Sequence, residues 1–320
     1  MPGIPGTNSG TARPDLTRSV ILGPIDRASI RSRVFTPSPW ESASGNWWRV
    51  NRDNAPTPMA SAIRTDASDA LEVRTEMERL SFTVTPRHRK ATLTSLQWDM
   101  LKVGGVPPLN LQQIKARQAM ASLQVSADTD WWTQVETDFA TASANYLQTG
   151  ASWMTAGTAL LTHFVTAKQY MLDAGVSAIP SLLMTDKALN FVSNRNTEFN
   201  AYFTYAGTPS TENARRAALA AYLGVKEIVT DEVYNSAGMY GSYTADRILD
   251  DTDALLFVPA SGTDLEEPCI GRCIHNATGS LGGMGSIYEF VIRDDIEYHA
   301  RSAEAHVTVD NRRGVRLDWS

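Results

Sequence analysis

The sequence predicts an α+β or mixed α/β protein with a compact, sheet-bearing domain late in the chain and an elongated part before it. Three observations predict this. Residues 223–317 alternate strand-like apolar runs with polar turns, residues 109–148 carry a long helical repeat, and residues 1–58 sustain no hydrophobic period. No catalytic signature stands at any strand end, so the sequence points toward a protein that works through its own surface.

Residues 1–58 hold Pro2, Pro5, Pro14, Pro24, Pro37, Pro39, Pro56 and Pro58 among many Ser, Thr, Asn and Gly. Such a stretch cannot build a core alone and gains order by lying on another surface. Seven arginines against four acids make it locally basic. Trp40, Trp47 and Trp48 are rare in tails that stay unstructured, so they are expected to anchor an ordered arm on a neighbouring copy. Next, Leu71 and Val73, then Leu80, Phe82 and Val84, recur at period two with charges between them. This predicts an antiparallel hairpin over 60–95 that buries little by itself and needs a partner surface. Pro86-Arg-His-Arg-Lys90 reads as a solvated basic turn.

Gly104-Gly-Val-Pro-Pro108 breaks the chain before the long helix. Leu111, Ile114, Ala121, Val125, Trp132, Val135, Phe139 and Tyr146 recur at roughly helical spacing, with Asn110 as N-cap. Ser126-Ala-Asp-Thr-Asp130 predicts an interruption, with Ser126 or Asp128 capping a second segment. Further helices are expected at 158–174, stopping at Gly175, at 187–194, opened by Thr185 or Asp186, and at 211–223, between Thr211 as N-cap and Gly224 as stop. Strands are expected at 181–185, 226–233, 254–259, 287–293, 305–310 and 314–318, and Gly279–Gly285 reads as a flexible loop.

The 320 residues suffice for one large domain or two modest ones. A net charge of −6 argues against a uniformly basic nucleic-acid binder. No run of about 18 apolar residues suggests a transmembrane helix, and the N-terminus lacks a secretory pattern. Two cysteines, Cys269 and Cys273, make no disulfide framework, and a reducing cytosol is the default compartment. Arginine outnumbers lysine by 23 to 6, which fits either an interface-rich protein or a GC-rich genome.

Candidate chemistry is thin. Cys269, Cys273 and His275 lack the second ligand pair of a structural zinc site. Gly279–Gly285 has no Gly-Lys-Ser/Thr end and is followed by a strand, so it does not match a phosphate loop. Asp246, Asp250, Asp251, Asp253, Asp294, Asp295 and Glu297 resemble turn and interface acids more than a catalytic pair. His88, His163, His275, His299 and His306 have no nucleophile beside them. No metal, no cofactor and no catalytic residue is nominated. A soluble hydrolase using the acids at 246–253 stands as the alternative from another class.

With these residues laid out, the chain resembles the tailed-phage major capsid proteins of the Hong Kong 97 fold. The resemblance runs over most of residues 57–318 and rests on the order of its pieces. The proline-rich arm, the hairpin at about 60–98 and the helix at 109–148 come first. Pro180-Ser-Leu-Leu-Met-Thr-Asp-Lys-Ala-Leu-Asn-Phe191 is similar to the family's strand-then-helix opening of its A-domain. Leu219-Ala-Ala-Tyr-Leu-Gly-Val-Lys-Glu-Ile-Val229 is similar to its helix ending in Leu-Gly-Val before a central strand. Asp246–Pro259 and Val307-Thr-Val-Asp-Asn-Arg-Arg-Gly-Val-Arg-Leu317 follow in place.

The resemblance implies an N-arm over 1–58, an E-loop hairpin over 59–104, a P-domain with a long spine helix over 105–160 and 286–312, and an A-domain with a central sheet over 161–285 and 313–320. It implies a non-enzymatic subunit, made in the bacterial host cytoplasm, that assembles with itself as pentamers and hexamers into an icosahedral virion shell around double-stranded DNA. Portal, scaffold or decoration proteins are further partners, and no membrane is involved. Trp40, Trp47, Trp48, Leu71, Val73, Phe82 and Val84 are then the expected intersubunit contacts. Arg27, Arg31 and Arg33 are expected to face packaged DNA without sequence preference. Some family members crosslink through an E-loop lysine; the only lysine within the 60–95 hairpin is Lys90, near its base, so no crosslinks are expected. The long helical scaffolding segment that some relatives carry before the arm has no counterpart in this sequence, so either a processed form or a separate scaffold is expected, and Met1 favours the second. An encapsulin-type compartment shell, similar in fold, is the second alternative.

Overall fold

The computed structural model describes residues 11–12, 29–50, 77–97, 99, 108–206, 211–231, 234–235, 244–262, 267–276, 285–292 and 295–320. The first part of the chain gives β1 (Thr11–Ala12), α1 (Arg31–Val34), β2 (Thr36–Trp40), β3 (Ser44–Val50), β4 (Met77–Thr83), β5 (Thr85–Leu93) and α2 (Pro108–Asp138). Next come β6 (Tyr146–Gln148), α3 (Leu160–Asp173), β7 (Ser181–Thr185), α4 (Asp186–Arg195), α5 (Thr197–Ala206), α6 (Glu212–Leu223) and β8 (Ile228–Asp231). The remainder is β9 (Tyr234–Asn235), β10 (Ala245–Asp246), β11 (Asp253–Phe257), β12 (Gly271–Asn276), β13 (Ser286–Ile292), β14 (Asp295–Thr308) and β15 (Gly314–Asp318).

Two sheets organise these elements. One runs β6-β15-β11-β7-β8; its central strands β7 and β11 are antiparallel, and β8 is parallel to β7. Every residue of β7 and β11 is buried, which accounts for their continuous apolar runs. Alternate side chains point to opposite layers. Leu182, Met184, Ala254 and Leu256 pack with Phe164, Met171, Val192 and Leu219 from the helices α3, α4 and α6. Leu183, Leu255 and Phe257 pack on the other face against Trp131, Trp132, Val135 and Phe139 of α2.

The second sheet runs β1-β13-β14-β12-β2, with β5 added along β14. The N-terminal half of α2 covers it, through Ala116, Ala119, Met120 and Leu123 against Leu93, Ile287, Tyr298 and Ala300. At 1.5 Å per residue α2 is about 46 Å long, so one helix backs both sheets.

Local signals explain the shorter helices. The Thr185 hydroxyl accepts from the Ala188 amide at 3.1 Å and opens α4. Thr211 does the same for Ala214 at the start of α6, and Gly224 ends that helix at φ 61°, a left-handed position that suits glycine.

Several expectations are corrected. The helix α2 runs unbroken through 126–130 and ends at Asp138; Tyr146 belongs to β6. Thr129, Thr133 and Thr137 return their hydroxyls to carbonyls four residues back, and Asp128 is engaged away from the helix backbone, so none of these side chains competes with the helix. The hairpin pairs β3 with β4, in register from Ser44↔Thr83 to Val50↔Met77, so its strands start inside the supposed arm. Residues 85–93, read as hairpin and basic turn, form a strand along β14, from Thr85↔Glu304 to Leu93↔Ile296. The strand β14 begins at Asp295 rather than 305. The strand β12 is not among the expected strands; its neighbouring residues Cys273 and Ile274 are buried on opposite faces. The loop at 279–284 lies outside the described residues.

Gly271 shows how closely the early segment is fitted. A Cβ at this position would overlap the ring of Phe35, itself fully buried. Gly271→Ala is expected to lower unfolding stability by about 1–3 kcal/mol through overpacking. Denaturant titration measures it, and an unchanged midpoint would show that Phe35 does not seat on β12.

Candidate assembly site

The early segment docks on the chain's own body. Ile30, Val34 and Phe35 are buried among Trp131, Leu183, Leu255 and Ile270, and the Phe35 ring meets Trp131 edge-on at 5.7 Å. Pro37 and Pro39 lack amide hydrogens, yet β2 adds parallel to β12 from Thr36↔Arg272 to Trp40↔Asn276. An edge position tolerates such prolines.

Arg31 fixes this docking. Its side chain is 2% exposed, and its carboxylate partners are at 1% and 0%. The guanidinium Nη1 donates to Asp128 Oδ1 at 2.6 Å, and Nε and Nη2 donate to Glu304 Oε2 and Oε1 at 2.8 and 2.9 Å. Ser29 Oγ accepts from Nη1 and donates to Asp128 Oδ1, and the Ile30 amide donates to Asp128 Oδ2 at 3.3 Å. One side chain thus ties the arm to α2 and to β14. Burial alone would lower the guanidinium's pKa, but Glu304 and Asp128 outweigh it and raise it. Burial likewise pushes Glu304 up, and the neighbouring His306 and the Arg31 fork together hold it well below the usual carboxylate range. We assign most of that to Arg31, since His306 Nε2 stands 3.6 Å from Oε2, beyond hydrogen-bonding distance.

Among the described residues, Cys273, Glu304 and His306 bring ligand-type atoms within 4.8 Å of one another. This set differs from Cys269, Cys273 and His275. It does not fit a metal as it stands. Arg31 already forks onto Glu304, and burial next to Glu304 raises the Cys273 thiol well above its ordinary value, so it stays protonated. Burial pushes Cys269 up to about 11.

The hairpin root sits beside this socket. Phe82 and Val84 are buried with Cys269, Ile274, Ala303, Ala305 and Val309, and Trp40 meets Phe82 edge-on at 5.4 Å. The Val84 amide donates to the Ala43 carbonyl at 2.8 Å. Phe82 and Val84 are therefore corrected from intersubunit contacts to the chain's own core, while the half-buried Trp40 packs on Phe82 of its own chain. Trp47 and Trp48 lie in β3, opposite Leu80 and Arg79, in the hairpin rather than the arm. Leu71, Val73 and Arg27 lie outside the described residues. Arg31 is withdrawn as a DNA-facing residue, because two buried carboxylates surround it. Arg33 is 43% exposed and paired with Glu227 at 2.9 Å.

The acids have structural partners. Asp251 accepts from Thr185 Oγ1 and Lys187 Nζ. Asp253 is 2% exposed and pairs with Arg316 at 2.8 Å; burial outweighs that pairing and pushes it up to about 6. Asp295 accepts from the Ser95 amide, and Glu297 pairs with Lys90 and His299. Asp294 lies outside the described residues. His163 Nδ1 accepts from Trp153 Nε1 at 3.1 Å, and His88 meets His299. No described helix is long and apolar enough to cross a membrane.

No family model matches the chain, and no curated protein matches its sequence. Solved structures do match. A phage-related protein from Bordetella bronchiseptica RB50 is 13% identical with a TM-score of 0.68, over 97% of each chain. The capsid of the cyanophage P-SCSP1u is 10% identical with a TM-score of 0.56, over 92% of this chain and 89% of that one. The holo-SrpI encapsulin complex from Synechococcus elongatus PCC 7942 is 10% identical with a TM-score of 0.51, over 89% and 85%. These likenesses show the fold expected from the sequence: the mixed helix-and-sheet fold of phage capsid proteins.

Arg31→Met leaves Asp128 and Glu304 buried without a cation and is expected to lower unfolding stability by about 3–5 kcal/mol at pH 7. Glu304 is held below its unfolded value, so its pairing stabilises the fold above about pH 4.3 and is lost as pH falls below that. The deficit of Arg31→Met should therefore shrink from pH 7 to pH 3. Denaturant titration at both values checks this; an equal deficit would show that stranded carboxylates are not its cause.

Proposed function

We propose that this chain is the structural subunit of a closed, self-assembled shell, the major capsid protein of a tailed-phage-type virion enclosing double-stranded DNA. The observation that carries the reading is the likeness along nearly the whole chain to a phage-related protein and to phage capsids. The organisation of the molecule supports it. A shell subunit needs surfaces that meet other copies in closing rings, and a hairpin whose strands β3 and β4 pair mainly with each other suits that use.

In this reading the sheet around β14, with the first half of α2, serves as the P-domain, and the sheet around β7 and β11 as the A-domain. The hairpin from Ser44 to Thr83 serves as the E-loop, and Trp47, Trp48, Leu71 and Val73 are its proposed contacts with neighbouring copies. Copies assemble as pentamers and hexamers, with portal, scaffold or decoration proteins as further partners, in particles formed in the host cytoplasm. Contact with packaged DNA falls to Arg27 and Arg33, through charge rather than sequence. Asp251, Asp253, Asp295 and Glu297 are engaged by structural partners, which favours a non-enzymatic subunit.

An encapsulin-type shell is the second reading, favoured by the likeness to the Synechococcus complex. Negative-stain microscopy of the purified protein, with nuclease treatment before nucleic-acid extraction, tests both. Closed particles holding nuclease-protected DNA are expected. Closed particles holding protein cargo would select the second reading, and discrete monomers or dimers would overturn both.

A further inference from the structure

The outer face of the β5–β14–β13 sheet carries a chain of titratable side chains that the shell reading does not use. His88 Nε2 on β5 lies 2.7 Å from His299 Nδ1 on β14, and the ring centroids are 4.6 Å apart. His299 Nε2 lies 2.7 Å from Glu297 Oε2, and Lys90 Nζ donates to Glu297 Oε1 at 2.8 Å. Phe290 of β13 packs on His299 at 4.3 Å. Arg301, opposite His88 in register, lies over Tyr288 and Phe290 at 4.8 and 5.6 Å. The helix α2 packs on the other face of this sheet, against Tyr298 and Ala300.

We propose that the His88–His299 contact is a proton-sensitive clasp that holds β5, and with it the root of the β3–β4 hairpin, against β14. The mechanical link is short, because Val84 alone separates β4 from β5. The proton count sets the direction. With both rings neutral, His88 Nε2–H donates to His299 Nδ1, while His299 Nε2–H donates to Glu297. A first added proton is accommodated: one ring of the pair becomes imidazolium and donates across the contact to the bare nitrogen of the other. A second proton places two N–H donors head to head across the same 2.7 Å, among the cations Lys90 and Arg301. The contact then breaks.

The direction at His88 agrees. Burial, followed by the charges of His299, Arg301 and Lys90, lowers its pKa, and Glu297 only partly opposes them. A released strand binds that proton more readily than the docked one. Docking is therefore full above the ordinary imidazole value of about 6.5 and weakens as pH falls below it. This distinguishes the clasp from the Arg31–Glu304 pairing, whose own response lies in the carboxylate range.

Hydrogen–deuterium exchange of the full-length protein at pH 7.5 and 5.0, corrected for intrinsic exchange rates, tests the clasp. Protection of the amides of 85–93 should fall severalfold at pH 5.0 relative to those of 181–185. In His88→Gln, and separately in His299→Gln, that extra fall should disappear. Unchanged protection of 85–93 in the wild type would overturn the proposal, and so would an equal fall in a variant. If neither variant folds, the wild-type contrast between the two segments still decides. The result does not depend on whether the particle holds DNA, cargo or nothing.

Discussion

Two carboxylates buried from different layers need one cation, and the chain supplies it from its own arm. Asp128 stands on α2 and Glu304 on β14, and at 1% and 0% exposure neither is stable there alone. Arg31 reaches them from 97 and 273 positions away in sequence. Its planar fork meets Glu304 through two nitrogens and Asp128 through a third, which a lysine could not reproduce. Buried ion triads of this kind contribute register more dependably than net stability. Here the register is that of segment 29–40 on β12, with Phe35 seated over Gly271.

That placement matters because α2 is shared. Its first half closes the sheet around β14, its second half closes the sheet around β7 and β11, and Asp128 stands between those stretches. Arg31 therefore ties the arm to the element both layers lean on. The hairpin leaves from beside the socket, its root packed by Phe82 and Val84 and continued into β5. Docked segment 29–40, shared helix and hairpin root form one connected body.

Much of this was legible in sequence where the signal is local. Thr185, Thr211, Gly175 and Gly224 mark helix ends through caps and turns that act over three or four residues. Ser181–Thr185 and Ala254–Phe257 are unbroken buried runs, and both appear as central strands. What was misread depends on distant partners. Asp128 looks like a helix cap until Arg31 is seen to occupy it. Arg31 looks like a phosphate-facing charge until Asp128 and Glu304 surround it. Period-two alternation at Leu80, Phe82 and Val84 is equally true of a hairpin and of a sheet strand. Only the register with β14 assigns Thr85–Leu93 to the body and sends the hairpin's pairing back to Ser44–Val50.

The central claim is that each copy closes its own socket with its own arm, so that the proposed shell would assemble from finished bodies. A reconstruction of the assembled particle, at a resolution that traces side chains, tests it most directly. The account predicts Arg31 of every copy between Asp128 and Glu304 of the same chain, with segment 29–40 beside that chain's own Gly271–Asn276. Finding the segment seated in a neighbouring copy, with Arg31 bridging two chains, would contradict it.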